Sequence, residues 1–174
     1  KGEWTKNDFG AYFHDELVFG KRWILTAGMR LDRDSLFGGE ASPQAGLVWH
    51  AAENTSVRLS AAKAFRTPHL SELFLFPSSN PDLEPERAWN YELGFSQAIA
   101  RFLKVDVAVF KMKGTNLIET VRNPAGPAPY INRNTGSFDF AGIELGFKAD
   151  VLPSLSLGAA YSRLDAGDLT KGRP

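Results

Sequence analysis

The 174-residue sequence contains no cysteine. That excludes a disulfide scaffold, a thiolate metal site and a cysteine nucleophile. No apolar run approaches the roughly 20 residues that a membrane-crossing helix needs. Twenty basic and twenty acidic residues cancel, so no overall field draws the chain to nucleic acid or to an anionic surface. Histidine is scarce: His14, His50 and His69 fall in three separate segments, which is no metal-ligand spacing. No phosphate-cradling glycine motif is present, and Gly38-Gly39 is an ordinary loop pair. The mean hydropathy of −0.24 is that of many soluble proteins, but it is equally compatible with strands in which every second residue is polar. With Lys1 first and no leader peptide, the chain reads as a mature product or an excised piece.

What the sequence does contain is alternation. Leu103, Val105, Val107 and Val109 interleave with Lys104, Asp106 and Ala108; Ile143, Leu145, Phe147 and Ala149 with Glu144, Gly146 and Lys148; Leu155, Leu157, Ala159 and Tyr161 with Ser156, Gly158 and Ser162. Period two means strands with one apolar and one polar face. The pattern predicts eight strands, near 8–17, 23–33, 42–51, 56–65, 88–98, 102–113, 136–150 and 155–165. Connections near 18–22, 52–55, 99–101 and 151–154 are short, whereas those near 34–41, 66–87 and 114–135 are long and hold most of the prolines. Strands of about ten residues with short turns at one rim and long loops at the other fit an antiparallel transmembrane β-barrel. A soluble all-β sandwich, with one face in a core and one in water, is the alternative.

The phase holds from segment to segment. The lipid-facing set is Phe9, Ala11, Phe13; Leu25, Ala27, Met29, Leu31; Leu47, Trp49; Val57, Leu59, Ala61; Tyr91, Leu93, Phe95; and the three runs above. The opposite set carries Arg30, Asp32, Arg58, Glu92, Lys104, Asp106, Glu144 and Lys148, with glycine at 10, 28, 46, 94, 146 and 158. Trp4, Trp23, Trp49, Trp89 and Tyr161 are candidates for interfacial aromatic girdles. Asp15, Arg33 and Lys63 break the pattern; either they sit near strand ends, where charge costs little, or a bulge shifts the register.

Between the fourth and fifth strands runs Phe65-Arg66-Thr67-Pro68-His69-Leu70-Ser71-Glu72-Leu73-Phe74, then Asn80-Pro81-Asp82-Leu83-Glu84-Pro85-Glu86-Arg87, then Trp89-Asn90-Tyr91-Glu92-Leu93-Gly94-Phe95. Asn134-Thr135-Gly136 and Gly142-Ile143-Glu144 follow downstream, and Asp8-Phe9-Gly10-Ala11-Tyr12-Phe13 with Asp15-Glu16 precedes. In this order and spacing the phrases resemble the barrel of TonB-dependent outer-membrane receptors, over nearly the whole chain. The resemblance implies a slice of a barrel of about 22 strands around a plug domain, in the outer membrane of a Gram-negative bacterium. The whole would take up a scarce nutrient of the ferric siderophore, haem or cobalamin class. The implied partners are outer-membrane lipid, the plug domain and the TonB complex through the parent chain, and a transported metal chelate or macrocycle; no nucleic acid and no resident cofactor are implied. Residues 1–174 form one partial barrel domain on this reading, and Pro174 is not the terminal aromatic usual in such barrels, so further strands are expected. Eight strands alone leave two open edges, unless they close into a small barrel of their own.

No catalytic constellation emerges, and no enzymatic activity is expected. Ser71, His69 and Asp82 have the composition of a triad, but nothing in the loop sequence fixes their geometry. Asp15 and Glu16 point to opposite faces. A small outer-membrane barrel enzyme is the reading in which these groups would matter. Glu72, Glu84, Glu86, Arg66 and Arg87 are placed to form loop ion pairs. For ligand binding the outer loops offer Phe37, His69, Phe74, Phe76, Tyr130 and Arg133, aromatic and cationic groups suited to a flat chelate or macrocycle.

Overall fold

The computed structural model describes residues 3–124 and 126–168; Pro174 lies outside the described residues. Eight strands follow one another: β1 (Asp8–Phe19), β2 (Trp23–Asp34), β3 (Gly38–Ala52), β4 (Thr55–Arg66), β5 (Glu86–Ala100), β6 (Leu103–Arg122), β7 (Tyr130–Leu152) and β8 (Leu155–Asp168). Each pairs antiparallel with its sequence neighbours in a single sheet ordered β1 to β8. β1 and β8 are its two edges and do not meet, so the eight strands do not close on themselves. The shortest strands have 12 residues and β7 has 23, more than the roughly 9–11 that a tilted strand uses to cross a hydrocarbon layer.

Register joins the odd-numbered apolar residues into continuous rows. One row runs Leu17, Leu25, Leu47, Leu59, Leu93, Val109 and Ile143 across seven strands. These side chains stay uncovered: Leu59 is 55% and Leu93 48% exposed, and Phe9 reaches 73%. Every extensive element contact is between strands adjacent in sequence, so among the described residues no second sheet or helix lies over the apolar face. The soluble sandwich is therefore not the fold. A patch of this extent in water marks a buried interface, and lipid supplies that burial without a second protein layer.

The even-numbered face is polar. Arg30–Asp32 (2.7 Å), Lys104–Asp106 (3.2 Å) and Lys148–Asp150 (3.9 Å) each join residues two apart on one strand. Such neighbours share a face because side chains alternate. Glycine makes room on this side at specific points. A Cβ on Gly94 would meet the Arg58 guanidinium at 3.0 Å, and one on Gly142 would lie 2.5 Å from the Phe110 ring.

Three expectations need correction. The stretch 34–41 is mostly strand, since β3 begins at Gly38. The stretch 114–135 is not a long loop; β6 and β7 continue as a paired hairpin to Arg122 and Tyr130. Tyr130 and Arg133 are therefore strand residues. Register shifts lie at His50–Ala52, Ala98–Ala100, Asp150–Leu152 and in β6 at Thr115–Ile118, none of them at Asp15, Arg33 or Lys63. In the last of these, Asn116 has φ +60°, a conformation asparagine tolerates better than most residues. Among the aromatics, Trp23 and Trp49 stack at 5.4 Å near the short-turn rim and Trp89 stacks on Tyr91 at 6.0 Å near the other. Tyr161 sits in mid-strand opposite Leu145, and Trp4 belongs to the long-loop end, where it stacks on Phe74.

Candidate functional site

All long connections leave from the rim that carries Arg66 and Glu86, and the segment between those two residues organises it. Thr67-Pro68 ends β4, because the residue before a proline is biased to extended backbone. One π-helical turn, Ser71–Leu75, follows. Pro68, Leu73 and Leu83 are almost fully buried, so the segment is seated by a small apolar core of its own. Arg66 is the clamp. Its Nε donates to Glu86 Oε2 (2.6 Å) and its Nη1 to Glu72 Oε2 (2.9 Å), while the His69 backbone N–H donates to the same Glu72 oxygen (2.8 Å).

Partial burial alone would raise the pKa of Glu72, but the Arg66 guanidinium and the His69 N–H outweigh it and hold the carboxyl below its usual range. A carboxylate with a lowered folded-state pKa adds stability that is complete above the unfolded value and lost as pH falls through the folded one. The Asn80 amide, which donates to Glu72 O at 2.9 Å, reports on this. In the complete protein its hydrogen-exchange protection should be constant from neutral pH to about pH 5, then fall below about pH 4. Protection that persists in acid would show that Glu72 ionisation does not seat the segment.

The segment is also fastened to the β6–β7 hairpin. The Asn132 N–H donates to Ser78 O (2.7 Å) and Asn80 Nδ2 to Asn132 O (2.9 Å). Asn134 accepts from the Glu84 N–H and donates to Glu84 O, both at 2.8 Å. Asn116 Nδ2 donates to Glu84 Oε2 (2.9 Å), and the Ile118 N–H to Glu86 Oε1 (2.8 Å). Backbone groups of a projecting hairpin that lack a ladder partner are thus satisfied by side chains and by the segment. Of the expected loop ion pairs, Arg66 takes both Glu72 and Glu86, Arg87 reaches Glu40 on β3, and Glu84 binds Asn116 instead of an arginine.

On the other side, residues before β1 cross the rim. Trp4 stacks on Phe74 (3.9 Å), and Lys6 binds Asp34 (3.0 Å) and Thr67 Oγ1 (2.6 Å) while lying 5.6 Å from the centre of the Phe37 ring. Two polar clefts result. One, of about 410 Å³, is lined by Lys6, Arg30, Arg33, Arg66 and His69 together with Asp8, Asp32 and Asp34. Arg66 is already paired with Glu72 and Glu86, and the other three cations are matched by the three carboxylates. The other, of about 520 Å³, is lined by Asn80, Asp82, Glu84, Asn116, Asn134 and Arg133, and there the carboxylates are in excess.

The six candidates divide between these places. His69 lines the first cleft and Phe37 sits beneath its Lys6; Phe74 is engaged by Trp4. Arg133 lines the second cleft, Tyr130 is 48% exposed opposite Arg122, and Phe76 is 59% exposed on the segment between them. The structure does not bring all six into one pocket. Among the described residues no hydrogen bond joins the side chains of Ser71, His69 and Asp82, and no group of His, Asp and Glu is placed to hold a metal. Lys6, Asn80, Asn116 and Asn132 were not foreseen. The spacing of Asn132 and Asn134, two amides on one face, was the available signal.

This architecture is shared with known proteins. The family model described as TonB dependent receptor-like, beta-barrel matches residues 1–174. The iron-regulated outer membrane virulence protein of Vibrio cholerae is 25% identical over 91% of this chain, and the vitamin B12 transporter BtuB of Vibrio vulnificus 30% identical over 66%. The chain spans 27% and 18% of those two proteins. Among solved structures, the siderophore receptor PirA of Pseudomonas aeruginosa superposes with a TM-score of 0.83 at 22% identity, covering 94% of this chain and 32% of that one. The FrpB iron transporter of Neisseria meningitidis gives 0.73 at 22% identity, over 97% and 27%. Strand rows, asymmetric rims and a family match along the entire sequence converge: the chain belongs to the TonB-dependent receptor β-barrel family of the Gram-negative outer membrane.

Proposed function

We propose that the chain forms wall and outer rim of a receptor that imports a scarce nutrient of the ferric siderophore, haem or cobalamin class, driven by the TonB complex. The family match carries this reading, supported by relatives named for iron regulation and for vitamin B12 transport. The long-loop rim faces outside and collects the ligand. The polar inner face, with its Arg58, Glu92 and Lys104–Asp106 groups, is the wall against which a plug rests and past which the ligand moves. No bond is made or broken, so the chain acts by binding and not by catalysis. The first cleft, with Lys6, Arg30 and Arg33 interleaved among Asp8, Asp32 and Asp34, offers both charge signs to the polar groups of a chelate or macrocycle.

In the complete receptor, Tyr130→Ala combined with Arg133→Ala is expected to weaken uptake by about tenfold, the order of one or two lost aromatic and charged contacts. Receptor abundance in the membrane should not change. Labelled-nutrient accumulation, with the receptor quantified in parallel, measures both. Uptake equal to wild type would remove those two residues from the ligand site.

A further inference from the structure

The short-turn rim carries a group of cations that neither the sheet nor the outer clefts employ. Gly20, at φ +60°, turns β1 into β2, and Glu53 and Asn54 connect β3 to β4. The His50 N–H donates to Arg22 O at 2.7 Å and ties the two turns together. Between them lies a cleft of about 470 Å³ lined by Lys21, Arg22, His50, Ala52 and Glu53. That volume falls in the range of small-molecule sites, about 300–1,000 Å³.

Two features set this cleft apart. Its charge is unbalanced: among the described residues Lys21 and Arg22 have no ion-pair partner, and Glu53 is the single carboxylate of the lining. In the first outer cleft, by contrast, Lys6 and Arg30 are bound to Asp34 and Asp32. The cleft also faces the lumen. Trp23 and Trp49, stacked on the lipid side, are the chain neighbours of Arg22 and His50, and side chains alternate. Arg58 stands one step further in, since its register partner Val48 shares the face of His50 two residues away. Positive groups therefore follow one another toward the end of the import path, and a wall of one sign concentrates the opposite sign beside it.

We infer that this cleft is an exit station, where Lys21, Arg22 and His50 take an oxyanionic arm, carboxylate or phosphate, of the transported chelate as it leaves the lumen. The inference rests on the import reading and adds a chemistry to it: the cargo carries oxyanionic arms. Lys21 and Arg22 are exposed, so water and salt screen their attraction and the arm is released again.

The test uses the complete receptor, purified in uncharged detergent at low salt, and equilibrium dialysis with labelled citrate as the tricarboxylate probe. Lys21→Gln with Arg22→Gln should abolish binding at this cleft, read as one citrate fewer per receptor than in the wild type. Lys21→Arg with Arg22→Lys keeps both charges and should bind as the wild type does. Glu53→Gln, which removes the opposing carboxylate, should bind more tightly. Equal citrate binding by the wild type and the double Gln variant overturns the site. Displacement of that citrate by phosphatidylglycerol micelles would assign the cleft to lipid headgroups and overturn it as well. In cells, the double Gln variant should accumulate less labelled nutrient, while the nutrient bound to energy-depleted cells stays at the wild-type level; unchanged accumulation rejects the exit role. A wild type that accumulates no ferric siderophore, haem or cobalamin sinks the import reading instead, and the citrate dialysis still decides the cleft.

Discussion

Leu93→Arg in the complete receptor is expected to cost about 2–4 kcal/mol, the range for a basic residue at the midplane of the lipid face of a barrel. Leu93 is the middle residue of β5 (Glu86–Ala100) and is 48% exposed on the apolar row. Its register neighbours are Leu59 and Val109, so an arginine there finds no anion beside it. The paired control is Ser60→Arg. Ser60 is adjacent to Leu59 along β4, points to the opposite face, and lies across from Glu92. An arginine at 60 therefore meets water and a carboxylate, and should cost less than about 1 kcal/mol. Denaturant unfolding in detergent or lipid bilayers measures both. Similar costs at the two positions would mean that the odd and even faces do not separate lipid from lumen.

The second large effect is expected at Arg66. Removing its guanidinium by Arg66→Ala leaves Glu72 and Glu86, whose side chains are 23% and 17% exposed, without a counter-charge. Breaking a fully buried pair costs about 3–5 kcal/mol. Because Arg66 itself is 38% exposed, solvent screening reduces this to about 2 kcal/mol. The segment 67–85 should then become the first site of proteolysis. In a Glu72→Gln/Glu86→Gln background the same substitution should cost under about 1 kcal/mol, since the uncompensated charges are gone. Equal costs in both backgrounds would show that Arg66 acts through packing of its stem and not through the clamp.

The faces of the sheet were legible because lipid on one side and polar lumen on the other impose period two on every residue that crosses the membrane. Leu103–Val109 and Ile143–Ala149 show this without exception, and the register confirms both phases. The same signal fails from Thr115 to Arg122. There the register shifts, Asn116 with Asn132 and Asn134 of the paired strand binds segment 67–85 while Thr120 and Arg122 stay exposed, and nothing enforces alternation. Backbone pairing and side chains such as Glu86, rather than burial in lipid, hold it in strand. The start of β3 was hidden for a different reason. Gly38 and Gly39 read as loop, yet they pair with Asp34 and Arg33 of β2; Pro43, inside the expected strand, lies opposite Met29 where β4 has not yet joined, the ladder to β4 beginning at Gln44. A proline is tolerated where no partner awaits its missing N–H.

At the rim, local phrases revealed which residues matter but not whom they meet. Arg66 and Glu72 are six apart, and their pairing follows from one turn of loop. Arg87 with Glu40, Lys6 with Thr67 and Asn80 with Asn132 are brought together by the sheet's long-range order. Aromatic and cationic composition alone could not distinguish Phe74, engaged by Trp4, from Phe76, which is 59% exposed.

Among the described residues, the β6–β7 hairpin is tied to its neighbours below Arg122 and Tyr130, through Asn116, Ile118, Asn132 and Asn134. Above that pair the connection is closed on itself by the Asn123 N–H donating to Pro129 O. The described hydrogen bonds of the tip stay within it and do not reach the groups that fix the rim. A lineage can lengthen, shorten or replace that tip, and an engineer can graft a peptide onto it, while the same receptor assembles underneath.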